Sequence, residues 1–418
     1  MKSLKILLVS VSFLFSIFSV PAFAQISVVV NLPANANIDN FANGVHGAAQ
    51  DRMADPDGDG NLLLLSMPGN GIPQIPANGG RSFELNSSTT LPSNPHSGCW
   101  IAAPTAAASW YQTQPNFRLI NLSRALTNAT GRGVTVAIID SQVDYSHPAL
   151  AGRLTTGYDF ASLRQHGATI LNDSSAGYLD DSSAGYLDQA TRTYLNDSSA
   201  GYLDDSSAGY LDSLNPAWSH ATLVAGIIAA VAPDAMIMPV RAFDDLGSSD
   251  TFTISKAIVW AVDHGAQVIN MSFGTDTSTN MMQKAIVYAL NHNVTLVASA
   301  GNHNTPVAQW PAAFSGVIST AATDLGDVKA SFSNYGPTIV MDAPGVNIIS
   351  AAPGNLYGCM SGTSFSAPII AGTAALVRSE GVTSVTQPIT SGAINIDAQN
   401  PAYTGQLGKR VDVRNSVN

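Results

Sequence analysis

The chain has 418 residues, 45% of them hydrophobic and 11% charged, which is enough apolar material for a sizeable core and admits two or three domains. Its 18 Lys and Arg against 29 Asp and Glu give a net charge of −11, which argues against a basic nucleic-acid surface. The two cysteines, Cys99 and Cys359, offer no spacing pattern and read equally as one disulfide or as two thiols.

In chain order, the first feature is an export signal. Lys2 and Lys5 precede an apolar run from Ile6 to Val20, and Ala22-Phe23-Ala24 has the small-x-small form that a signal peptidase reads. Residues 1–24 are therefore expected to be removed. The run is short for a bilayer span and no later segment is apolar enough for one. The mature protein is expected to carry no membrane span and to be secreted, extracellular or periplasmic.

Residues 25–114 have a texture of their own. Ile26–Leu32 and Leu62–Ser66 read as strands and Ile38–Val45 as a short helix, with Pro, Gly, Asn and Ser clusters between them as turns. Asp55-Pro56-Asp57-Gly58-Asp59-Gly60-Asn61 resembles the opening of a calcium loop. Ser66 stands where its closing Glu belongs, so an ordinary turn is expected. From Gly131 the pattern changes. Val134–Ile139, Met236–Val240, Val268–Ser272 and Val294–Ser299 read as apolar strands. Ala221–Val231, Ile254–Asp263, Met281–His292 and Ser366–Val377 read as helices. Alternation with near-continuous apolar strands predicts an α/β fold: a parallel β-sheet flanked by helices on both faces, preceded by a small α+β region.

A repeat interrupts this pattern. Asp-Ser-Ser-Ala-Gly-Tyr-Leu-Asp starts at Asp173, Asp181, Asp197 and Asp205, and the phase continues through decayed copies to make six octets over residues 165–212. Their eight Asp and one Arg carry −7 of the net −11, so most of the acidity belongs to the insertion. A solvated surface loop is expected rather than a calcium-binding or adhesive solenoid edge, because the octet does not match the Asp-Gly calcium repeats.

Three segments carry candidate chemistry. An apolar strand, Val136-Ala137-Ile138-Ile139, ends in Asp140, where parallel sheets place their sites. His220 stands just ahead of the apolar Ala221–Val231 stretch, and Ser364 stands in Gly362-Thr363-Ser364-Phe365-Ser366-Ala367-Pro368 at the mouth of another helix. Pro368 suits a first helical turn. Singly, each has a plain explanation: a turn Asp, a polar cap, a helix N-cap. Together they fit nucleophilic catalysis. A Ser hydroxyl needs a base, a neutral imidazole supplies it near pH 7, and a buried carboxylate fixes the imidazole tautomer.

These segments resemble the signature blocks of the subtilisin-like serine proteases (subtilases, peptidase family S8), in that family's order Asp, His, Ser. Val268-Ile269-Asn270-Met271-Ser272-Phe273-Gly274, Ser299-Ala300-Gly301-Asn302, Ser331-Phe332-Ser333-Asn334-Tyr335-Gly336-Pro337 and Asp342-Ala343-Pro344-Gly345 add to the resemblance, which runs from about Asn116 to Val417 apart from the octets. Removing the 48 octet residues shortens the Asp140–His220 interval from 80 to 32, close to the family's usual spacing.

The resemblance implies a serine endopeptidase acting on proteins or peptides through an acyl-enzyme, with catalytic Asp140, His220 and Ser364. It implies an oxyanion donor at Asn302, and a substrate-pairing edge at Ser272, Phe273 and Gly274. Gln309, with His303, would make a polar floor in the primary specificity pocket. Residues 25–114 would be a propeptide that assists folding and acts as an intramolecular inhibitor, with self-cleavage between about Arg81 and Asn116. Residues 115–418 would be the peptidase domain. No cofactor is required for the chemistry; structural calcium is common in the family, with no ligands assignable here. Where the family usually has Gly, Gly and often His, this chain has Gln142, Ala221 and Leu223. These departures bear on rate, and on whether Ala221 meets a backbone that needs Gly. Two alternatives stand beside this reading. One is a catalytically silent secreted binding or adhesion protein on the same scaffold, with the acidic octets as its working part. The other is a maturation protease of narrow specificity.

Overall fold

A computed structural model describes residues 25–163 and 220–417, apart from 39–40, 43–44, 46–47, 59, 69–81, 91–95, 103–108, 245–246 and 308. The expected signal, residues 1–24, and the octets, 165–212, lie outside the described residues.

The chain opens as a four-stranded antiparallel sheet of β1 (Gln25–Leu32), β2 (Ala48–Ala54), β3 (Asn61–Pro68) and β4 (Ser82–Leu85), in the order β2-β3-β1-β4. Its two central strands are apolar on both faces because both faces are covered. Val28, Val30 and Leu32 of β1 and Leu63, Leu65 and Met67 of β3 pack with Phe41, Ala42 and Val45. Phe41 and Val45 make the helical i→i−4 bonds to Asn37 and Phe41, within the helix expected at 38–45. The intervening positions Val29 and Leu62 face the other way and meet Phe252 and Met281. The period of two thus sorts one apolar run into two cores.

Two short strands follow, β5 (Ser88–Thr90) and β6 (His96–Ala102). The main sheet is built from β7 (Thr135–Asp140), β8 (Tyr158–Asp159), β9 (Met236–Arg241), β11 (Val268–Met271), β12 (Thr295–Ser299), β13 (Val317–Thr323), β14 (Met341–Pro344) and β17 (Lys409–Arg410). Its order is β17-β14-β13-β12-β11-β7-β9-β8, and every pairing is parallel. Four helices cover it: α1 (His220–Val231), α2 (Thr251–Asp263), α3 (Asn280–Asn291) and α4 (Thr363–Ser379). Val136 and Ile138 of β7 pack with α1 and α4. Ala137 and Ile139 pack with α2 and α3. The predicted parallel sheet flanked on both faces is therefore the fold observed. Beside it stand two small antiparallel sheets. One pairs β5 with β10 (Ser248–Asp250). The other joins the hairpin β15 (Ile348–Ala352) and β16 (Leu356–Met360) to β6.

The N-terminal sheet docks on α2 and α3 through charge as well as core. Glu84 caps α3: its two carboxylate oxygens accept the amides of Asn280 and Met281 at 2.8 Å each, where first-turn N–H groups lack helical partners. Asn86 Oδ1 accepts the amide of Phe252 at 3.1 Å, and Lys256 pairs with Asp51 at 2.6 Å. In the Asp55–Asn61 turn, the Lys284 ammonium sits 2.8 Å from Asp55 and 3.0 Å from Asp57, and Asn31 also donates to Asp55. An ammonium from α3 thus occupies the carboxylates that gave this turn its calcium-like look. Among the described residues no cluster of three or more His, Cys, Asp or Glu is placed to hold a metal.

Candidate active site

Asp140 ends β7 on the face that carries α1, which begins at His220. Both side chains are fully buried. His220 Nδ1 lies 2.8 and 2.9 Å from the two carboxylate oxygens of Asp140. Nδ1–H therefore donates, and Nε2 is left as the acceptor. Nε2 is buried and has no hydrogen-bond partner among the described residues. The Asp140 carboxylate is steadied by the Ser141 amide at 2.7 Å, and Ser141 Oγ accepts the Ala221 amide at 3.3 Å. Ala221 lies in a helix and is not among the residues of positive φ, so its methyl group meets no glycine-only backbone. Leu223 is a core residue.

Ser364 is the second residue of α4, which starts three residues earlier than the apolar pattern suggested. The ring of its neighbour Phe365 lies 5.8 Å from that of His220, centroid to centroid. Pro368 therefore falls beyond the first turn, where its missing N–H leaves the carbonyl four residues back without a helical donor. That carbonyl is Ser364's own, and Ser272 Oγ donates to it at 2.8 Å. In return, Ser364 Oγ donates to the Ser272 carbonyl at 3.1 Å. Asn270 Nδ2 in turn donates to Ser272 Oγ at 2.9 Å. Sequence reasoning singled out Ser272 for its main chain and missed this reciprocal tie; the i−4 offset from Pro368 was the available signal.

Asn302 is oriented by α4. Its Oδ1 accepts both the amide and the hydroxyl of Thr363 at 2.9 Å. Because Oδ1 is engaged by an N–H, the amide flip is settled, and Nδ2 is left as a donor beside Gly362. Thr363 was not anticipated as this anchor. Asn334 is a second unforeseen brace: it accepts the His303 amide at 2.9 Å and donates to the Ala300 carbonyl at 3.0 Å.

Residues Ser272 to Gly274 run past the end of β11. The Phe273 ring is buried against Phe243, 5.1 Å between centroids, so only its main chain can face a ligand. Gln309 donates to Asp276 at 2.9 Å and lies 3.2 Å from His303 Nδ1. Its Oε1 fills the space above two glycines. A Cβ at Gly301, whose φ is +105°, would stand 2.2 Å from it, and one at Gly274 would stand 2.8 Å away. Gln309 and His303 are thus brought together, walled by Gly274 and Gly301. Gln142 is half-buried.

A sequence profile described as the Subtilase family matches residues 131–398, about two-thirds of the chain. The chain belongs to the subtilase family. Among curated relatives, a thermophilic serine proteinase of Bacillus sp. (strain AK1) is 36% identical over 256 residues, 60% of this chain and 53% of that protein. Thermitase of Thermoactinomyces vulgaris is 32% identical over 272 residues, 63% of this chain and 81% of its own length. The chain thus spans about half the length of the first of these relatives. In fold, this subtilase is similar to fervidolysin from Fervidobacterium pennivorans, described as a keratinolytic enzyme related to subtilisin. The TM-score is 0.65 at 23% identity, over 94% of this chain and 61% of that one.

Proposed function

We propose that the protein is an exported serine endopeptidase made as a zymogen, and that Asp140, His220 and Ser364 are its catalytic triad. The Asp140–His220 pair carries the reading: two fully buried groups, bonded so that the imidazole must offer Nε2 as a base. In the reaction Ser364 Oγ attacks the peptide carbonyl while Nε2 takes the hydroxyl proton and then gives it to the leaving amine. Water, activated by the same nitrogen, hydrolyses the acyl-enzyme. Asn302 Nδ2 and the first-turn amide of Ser364 are the donors for the oxyanion, whose charge appears only on the way to the tetrahedral state. Asn302→Leu removes the donor and also the Oδ1 that accepts from Thr363; kcat is expected to fall by at least about 10²–10³-fold, the scale for losing one such donor in a subtilisin. Steady-state kinetics on a peptide anilide check this.

The zymogen reading rests on what occupies the cleft. Strand β5 pairs antiparallel with β10, Ser88 to Thr90 against Asp250 to Ser248. On its other side Thr89 Oγ1 donates to the Gly274 carbonyl at 3.0 Å. This is the mode by which an extended peptide adds a strand to an open edge. Strand β6, which begins at His96, pairs antiparallel with β16, the strand ahead of Ser364. We therefore place self-cleavage between Thr90 and His96, inside the wider interval from Arg81 to Asn116. Gln309 with His303 would set a polar floor for the side chain preceding the cut bond. Ser364→Ala tests the whole reading. The parent chain should acquire a new N-terminus within that window and react with a fluorophosphonate; the variant should do neither. Equal chain lengths and equal labelling would overturn it and favour a silent binding protein.

A further inference from the structure

We infer that Cys99 and Cys359 form a disulfide that staples β6 to the strand leading into the nucleophile. Backbone register sets the two residues opposite each other. The antiparallel ladder runs unbroken through Ala102↔Leu356, Ile101↔Tyr357, Trp100↔Gly358 and Cys99↔Cys359, and shifts only afterwards, at Met360↔His96. Directly opposed residues of an antiparallel pair put their side chains on one face. Their Cα atoms stand about 4.5–5.5 Å apart, inside the span of about 4.4–6.8 Å that a disulfide bridges. The chain has two cysteines in 418 residues, and the fold sets them against each other. No other pairing within the chain competes.

The chemistry is a two-electron oxidation. Two S–H bonds break and one S–S bond forms. The two electrons and two protons pass to an external disulfide oxidant, which is reduced to its two thiols. The expected export signal would deliver the chain to a compartment where such oxidants operate.

Position gives the bond a role. Cys359 is buried and lies five residues before Ser364, on β16, which ends at Met360 just ahead of α4. On the zymogen reading, cleavage between Thr90 and His96 leaves Cys99 with the catalytic part, near its new N-terminus. The disulfide then holds that newly freed strand as the third strand of the β15–β16 sheet. Backbone hydrogen bonds alone would leave it open to fraying. Cleavage beyond Cys99 would instead leave the N-terminal region covalently attached to the enzyme it inhibited.

The test separates the bond from the proteolysis. The full chain carrying Ser364→Ala, which cannot process itself, is exported, denatured, alkylated without reduction and mapped by mass spectrometry. One linked peptide pair containing Cys99 and Cys359, split by dithiothreitol, is expected. Two alkylated cysteines without reduction overturn the inference, whatever the fate of the triad assignment. A second measurement guards against loss during handling. Reductant should lower the Tm of this chain by about 5 °C or more and leave that of a Cys99→Ser/Cys359→Ser version unchanged. An equal response in both overturns it.

Discussion

An Asp140→Asn chain is expected to keep its fold and lose about 10⁴ in catalytic rate. Asp140 is wholly buried and accepts Nδ1–H of His220 with both oxygens, at 2.8 and 2.9 Å. An asparagine at the same place can present its NH₂ to the ring. The imidazole then keeps its proton on Nε2, the atom proposed to accept one from Ser364, and on that proposal the base is lost although nothing has moved. Because the amide is isosteric with the carboxylate, the Ser141 amide still has an oxygen to bond. The half-time of self-processing and the rate of fluorophosphonate labelling should lengthen by the same factor, with the circular dichroism spectrum unchanged. Activity within tenfold of the parent would remove Asp140 from the mechanism.

The second large effect is on stability. Asp342 stands on β14, fully buried, and neither carboxylate oxygen has a hydrogen-bond partner among the described residues. Desolvation pushes its pKa from 3.8 up to about 7, with Asp327 and Asp397 adding repulsion. The folded state therefore holds a proton that the unfolded chain has released. The sign follows from linkage. The neutral acid costs nothing extra below about pH 4. Stability is then lost as pH rises toward 7, and the full penalty applies above that, up to about 4 kcal/mol for a shift of this size. Asp342→Asn removes the titration. Its Tm should match the parent near pH 4 and exceed it increasingly to pH 8, in chains that also carry Ser364→Ala so that self-digestion does not intervene. A constant difference across that range would show that the carboxyl does not titrate with folding.

Much of the main sheet and its helices was legible because their signals are local. Strand β7 announces itself by four consecutive apolar residues before Asp140, and α1 by eleven small or apolar residues after His220. What escaped notice depends on contacts between distant residues. Strand β13, Val-Ile-Ser-Thr-Ala-Ala-Thr, is wholly buried, yet its small and hydroxyl side chains lack the bulk that marks a core strand. Strand β2 is almost wholly exposed, so no alternation betrays it. Lys284 lies 229 residues from Asp55, and no motif links an Asp-rich turn to an ammonium on a later helix. The opposition of the two cysteines likewise appears only when β6 and β16 are paired.

The tie between Ser272 and Ser364 has a mechanical consequence. The Ser364 hydroxyl hydrogen is spent on the Ser272 carbonyl and not on Nε2 of His220, the base of the proposed triad, which has no hydrogen-bond partner among the described residues. A peptide laid along the Ser272–Gly274 edge brings amide hydrogens of its own, and an amide that claims the Ser272 carbonyl frees the hydroxyl to turn to His220. Arrival of the substrate backbone would then act as a latch release. On the proposed triad, the cleft would arm Ser364 most fully when an extended chain lies in it.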